Sequence, residues 1–256
     1  MKLFSGTLLI VTIVFSLSGC GGKKAGNRES AAEQEALNVP DTGYTGIKKY
    51  YSRDLLLKEV TFKNGVRQGE MKTFYQGGQL YQTFWYENGL REDSAKWHYL
   101  EGQVFRSTPY KHDTVDGIQK QYYRNGRVKA KLGYIKGLRT PYLEEYTQDG
   151  KLVRGYPDIV ATLSDDYAAR GLVRVNLELS DKGKDVKFYR GDLINGVFDT
   201  TRCTILKTEN GKAFLNLKKT GSEQADYVGI IAEYLTDFGN KHLIYKKTDL
   251  PYKDLK

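Results

Sequence analysis

A period of 24 residues runs through the middle of this chain and leaves few folds open to it. Stepping by 24 from Gly78 gives Gly102, Gly126 and Gly150; from Leu56 it gives Leu80, Val104, Val128 and Leu152; from Tyr51 it gives Tyr75, Tyr99 and Tyr123. The column just before the tyrosines reads Tyr50, Phe74, His98, Tyr122 and Tyr146. Another reads Phe62, Tyr86, Tyr110 and Tyr134, and a second glycine column reads Gly65, Gly89, Asp113 and Gly137. Such self-similarity marks an array of one supersecondary unit. Each unit has two turn signals: Asn64-Gly65, Asn88-Gly89 and Lys136-Gly137 at one end, Gly77-Gly78, Asn125-Gly126 and Asp149-Gly150 at the other. Asn-Gly and Asp-Gly supply the positive φ that tight hairpin turns demand. Between the turns lie strand-length runs such as QLYQTFWY (79–86), whose residues alternate between faces. Each unit therefore reads as a β-hairpin and the array as an antiparallel ribbon, advancing roughly 10 Å per unit at about 4.8 Å per strand. The Tyr and Phe columns read as a ladder joining neighbouring hairpins.

The match NG-x-R-x-G, four residues, an aromatic pair, two residues, G-x-[LV] is best from Asn64 to Leu80. It returns from Asn88 to Val104, Gly117 to Val128 and Gly137 to Leu152. These residues resemble MORN repeats in their bacterial variant form, over about 47–156. The resemblance implies a hairpin array used in scaffolding and, in some proteins, in contact with lipid headgroups. A variant family of similar repeats is known as the YwqK-type antitoxins; for an exported chain this implies a target acting in the envelope. Asp93 and Pro141 stand in the column of Gly69 and Gly117, and Asp113 stands in a glycine column. These departures predict distorted turns in the third and last units.

The chain opens with Met1-Lys2, an apolar run from Leu3 to Phe15, and Leu17-Ser18-Gly19-Cys20. One basic residue, a short apolar stretch and small residues before a cut make residues 1–19 a secretory signal. A membrane-spanning helix needs roughly 20 apolar residues, and here Ser5, Gly6 and Thr7 interrupt the run. The string LSGC resembles the lipobox of bacterial lipoproteins, which implies cleavage before Cys20 and attachment of acyl chains such as palmitate at that cysteine. Several acyl chains hold a protein to a membrane far more firmly than one. Residues 20–46 then read as the lipidated cysteine and a polar tether. Gly21-Gly22 follow the cysteine with no Asp and no acidic run, which by the same resemblance points to the periplasmic side of the outer membrane.

Net charge falls from +9 to +8 when the signal takes Lys2 with it, and no block of like charges appears. Nucleic acid is therefore not an expected partner. Lipidation of Cys20 leaves Cys203 alone, so no intrachain disulfide is expected. Cys203 sits in a strand-like run, Arg202 to Leu206, and reads as a buried, inert thiol. His98, His112 and His242 have no metal-ligand spacing, and His112-Asp113…Asp116 reads as a solvated turn, so neither metal nor cofactor is expected. No nucleophile–base motif occurs, and nothing recommends an enzyme.

Beyond Pro157 the period stops. Strand-like runs follow at 158–163, 172–180, 185–190, 197–207, 212–218, 226–235 and 242–247. Short strands at this spacing predict an immunoglobulin-like β-sandwich over 157–256. The whole is thus expected to be all-β and to act as a membrane-anchored, non-enzymatic scaffold or protein-binding module. Its partner would be an envelope protein, touched by Tyr81, Trp85, Trp97 and Phe105 on strand faces away from the Leu/Val column. Binding of glycan or peptidoglycan through exposed aromatics, and immunity to an envelope-acting toxin, are the alternatives.

Overall fold

Hairpin turns at the expected sites fold residues 46–145 into one antiparallel sheet. The computed structural model describes residues 42–222 and 224–256; the expected signal, Cys20 and nearly all of the expected tether lie outside them. The strands are β1 (Gly46–Ser52), β2 (Leu55–Lys63), β3 (Val66–Phe74), β4 (Leu80–Glu87), β5 (Leu90–His98), β6 (Val104–Lys111), β7 (Thr114–Val115), β8 (Gly117–Tyr122), β9 (Val128–Ile135) and β10 (Leu138–Glu145). They pair in chain order, with the short β7 beside β6.

The 24-residue period is visible in the hydrogen bonds. At one end the amide of Gly78 donates to Tyr75, Gly102 to Tyr99, Gly126 to Tyr123 and Gly150 to Thr147. At the other, Gly89 donates to Arg67, Asp113 to Arg91 and Gly137 to Val115. Tyrosine hydroxyls then stitch unit to unit. Tyr75 donates to the His98 carbonyl at 2.6 Å, Tyr99 to Tyr122 at 3.1 Å and Tyr123 to Tyr146 at 2.7 Å. The tyrosine column is therefore a fastening, and its regularity follows from that role.

The expected distortion is not found at the Asp113 turn, although the return strand of that hairpin is split into β7 and β8 and the last unit lacks at Pro141 the positive φ of Gly69, Asp93 and Gly117. His112 and Asp113 have φ of 49° and 63°, beside 49° and 83° at Asn88 and Gly89. Asp tolerates the left-handed region where its short side chain can bond locally. Here it does so, accepting from the Arg91 amide at 2.9 Å and from Arg91 Nε at 2.8 Å. A register shift does interrupt the ladder near Asp93 and Pro141, but the same shift lies near Gly69, in the hairpin with an unmodified motif. It belongs to the repeat.

The C-terminal segment forms two further antiparallel sheets. Its strands are β11 (Ile159–Asp166), β12 (Leu172–Leu179), β13 (Val186–Arg190), β14 (Thr204–Ile205), β15 (Thr208–Glu209), β16 (Lys212–Lys218), β17 (Tyr227–Leu235) and β18 (Lys241–Asp249), with one helical turn, α1 (Tyr167–Arg170), between β11 and β12. The orders are β11-β12-β16-β15 and β14-β13-β17-β18. Alternation puts Val173, Val175, Leu177 and Leu179 of β12 into one core with Phe188 of β13, Leu217 of β16 and Val228, Ile230 and Ala232 of β17. The run expected as one strand at 197–207 is broken instead. Asp199 caps a 3-10 turn at Thr200–Arg202 by accepting from the Thr201 amide, and only Thr204–Ile205 pairs with β13 before the chain leaves for the other sheet. Crossing between sheets needs a bend that an unbroken strand cannot make. Cys203 closes that turn, partly buried, and burial with Asp199 and Asp192 nearby pushes its thiol up, away from the reactive thiolate.

Candidate functional site

In an antiparallel pair, residues directly opposite each other share a face. Register therefore assigns each ribbon side chain to one of two faces. On the first face, Lys49, Glu59, Lys72, Thr83, Lys96, Ser107, Lys120, Lys131 and Glu144 form a continuous cross-strand row. Lys49 pairs with Glu59 at 3.1 Å and Lys131 with Glu144 at 2.9 Å. Hydrogen bonds from Tyr146 and Lys131 hold the Glu144 carboxyl down at about 2. Next to this row, Trp85 lies opposite Glu70 on β3 and Glu92 on β5. It is 43% exposed, an indole between two carboxylates on a stitched sheet.

The second face is more buried and carries most of the ribbon's own packing. Val60, Phe62, Tyr86, Ala95, Ala130 and Leu132 are buried there. Guanidinium groups cover its rings: Arg67 lies 4.4 Å from the Tyr86 ring, Arg91 4.5 Å from Tyr110 and Arg106 3.9 Å from Trp97. Such stacking suits the flat guanidinium and shields the ring from water. One row of this face reads Lys58, Thr73, Gln82, Trp97, Arg106, Gln121, Ala130 and Glu145.

Of the four expected contact residues, only Trp85 is exposed. Trp97 is a correction: it is buried at 7% exposure, under Arg106 and edge-on to Phe84 at 5.8 Å. Its partner across the ladder is Gln82, which points away from Trp85's face because 82 and 85 differ in parity on one strand. The two tryptophans thus lie on opposite faces and cannot form one surface. Tyr81 and Phe105 are half-buried, packed on Tyr75 at 4.9 Å and Tyr99 at 5.2 Å, within the unit-to-unit fastening. Their availability to a partner is correspondingly reduced.

Sequence reasoning named no residue as joining the ribbon to the C-terminal sheets. Glu145, at the end of β10, is fully buried and accepts from Thr236 Oγ1 at 2.7 Å, Asn240 Nδ2 at 2.6 Å and the Tyr156 hydroxyl at 2.8 Å. The Gln121 amide reaches Asn240 at 2.7 Å. Arg139 occupies the column of Arg67 and Arg91, but it pairs with Glu233 and donates to the Lys241 carbonyl. The signal was present: Thr73, Trp97, Gln121 and Glu145 are themselves spaced by 24, in a column whose residue type changes from unit to unit. A cavity of about 370 Å³ borders Glu145, Tyr156 and Thr236. A second, of about 470 Å³, is lined by Asn176, Glu178, Lys212 and Phe214. No group of three or more His, Cys, Asp or Glu side chains that could hold a metal occurs among the described residues, and no described helix is long and apolar enough to cross a membrane. No protein-family model matches the chain, and no curated protein matches it.

Proposed function

We propose that this chain is a lipid-anchored envelope lipoprotein that serves as a non-enzymatic, protein-binding scaffold, held through Cys20 on the periplasmic side of the outer membrane. In this reading residues 47–156 are a variant MORN-like array, supported by turn and tyrosine bonds that recur every 24 residues. The C-terminal segment is an immunoglobulin-like sandwich. Lettering β11 to β18 as A, B, C, C′, D, E, F and G gives sheets A-B-E-D and C′-C-F-G, which supports that topology.

The observation that carries the proposal is Trp85, a large aromatic held out of the packing on a rigid sheet and ringed by charges of both signs. Tryptophan with a polar rim is the usual make-up of an interface hot spot. The test is crosslinking of the tagged full chain in its own cells, followed by purification and mass spectrometry. One or two envelope proteins should be enriched, and lost from both Trp85→Glu and Cys20→Ala. Recovery of the same proteins with Trp85→Glu would overturn the assignment of the face. A toxin among the captured proteins would favour the immunity reading.

A further inference from the structure

We propose that the ribbon face opposite Trp85 binds a carboxylate-bearing saccharide, with Arg106 receiving the carboxylate. This goes beyond the protein-binding reading and uses the other face, so the two stand or fall separately.

Charge is the first observation. Residues 42–156 hold 20 Lys and Arg against 12 Asp and Glu, whereas 157–256 hold 16 against 15. The positive balance of the described chain lies on the ribbon, which favours an anionic ligand there.

The second is the state of Arg106. Four arginines of the ribbon are half-buried. Arg67 donates to the Gly89 carbonyl, Arg91 to Asp113, and Arg139 to Glu233 and Lys241. The Arg106 side chain has no hydrogen bond or ion pair among the described residues; it lies over the Trp97 ring, with its Nε buried and without an acceptor. Buried polar atoms normally find partners. A guanidinium fixed on an indole is a pre-oriented fork for a carboxylate.

The third is what shares its row. Thr73 Oγ1 is also buried without a partner. The Gln82 side chain has no hydrogen bond among the described residues, and the Gln121 side-chain nitrogen is held by Asn240, with its carbonyl oxygen still to offer. Thr73, Gln82, Trp97, Arg106 and Gln121 cross five strands, a span of about 19 Å at the usual strand spacing. Two amides along a line through one fork suit a chain rich in hydroxyls with a carboxylate. A peptide side chain would look for an apolar slot, and Arg106 already covers the Trp97 ring.

Calorimetric titration of the full chain in detergent, with tetragalacturonate and its carboxyl-reduced neutral counterpart, tests this. The acid should bind and the neutral sugar should not. Arg106→Lys keeps the charge and loses the fork, so affinity should fall at least tenfold at unchanged melting temperature. Gln121→Glu, which sets a carboxylate beside the guanidinium, should weaken binding similarly, and serves alone if the lysine variant does not fold. Trp85→Glu should bind as the parent does. Equal binding of the neutral sugar, no binding of the acid, full affinity in either row variant, or equal binding of polyglutamate would each overturn the proposal.

Discussion

At the scale of single residues, the two tryptophans separate packing from surface. Trp97 is buried and Trp85 is open. Trp97→Ala should cost about 3–5 kcal/mol, the range for removing a buried aromatic. Trp85→Ala should stay within about 0.5 kcal/mol, as surface changes do; urea unfolding of both variants checks this. Asp113 is a subtler case. Replacing it by Gly loses the Arg91 bonds but relieves a left-handed φ, whereas Ala loses the bonds and keeps the strain. Asp113→Ala should therefore be the less stable of the two by about 1 kcal/mol. His242 packs on Tyr156 and meets the Tyr234 hydroxyl at 2.8 Å, and burial lowers its affinity for a proton, as it does for His98. The unfolded chain takes up these protons near pH 6.5, and the folded chain only at lower pH. Their contribution to stability is thus complete above that value and is lost as pH falls below it. The urea midpoint should drop between about pH 7.5 and 5.5, and less steeply in His242→Gln; an unchanged slope would remove His242 from the account.

At the scale of elements, the ribbon is a chain of like hairpins fastened by like bonds. Tyr75, Tyr99 and Tyr123 each give one hydroxyl to a carbonyl 23 residues on. Replacing any one by Phe should cost about 1 kcal/mol, the usual net value of a hydrogen bond. The fastenings lie in successive units with separate partners, so the losses should add in the triple variant, which denaturant titration reads directly. Strong coupling between them would mean that the units do not act as neighbours in a linear array.

At the scale of the whole molecule, the last strand of the ribbon is tied to the C-terminal sheets. Phe198 donates its amide to the Arg139 carbonyl at 2.8 Å, and Glu145 ties β10 to the turn between β17 and β18. Burying a carboxylate is tolerable only when its oxygens are fully bonded, and Glu145 has three donors. Glu145→Ala would leave those donors without their shared carboxylate acceptor, at a cost of about 3 kcal/mol. Because the lost contact joins the two sheet systems, calorimetry should resolve two transitions in the variant and one in the parent. A single transition in both would place the coupling elsewhere.

The hairpins, their turns and the all-β class were legible in the amino-acid order because they rest on local rules: alternation along a strand, positive φ at Asn-Gly, and a period that repeats both. Asp113 shows the margin of such rules, since a glycine column was read as broken where the side chain keeps the same turn by bonding to Arg91. The break at 197–207 was not legible, because alternation along a run does not say which of two sheets each half will join. Nor was the placing of Trp97, since a face is a property of pairing register and not of one strand's sequence. Glu145 is the clearest case. Its burial depends on Thr236 and Asn240, more than ninety residues away, and only the folded chain brings those donors to the end of the ribbon.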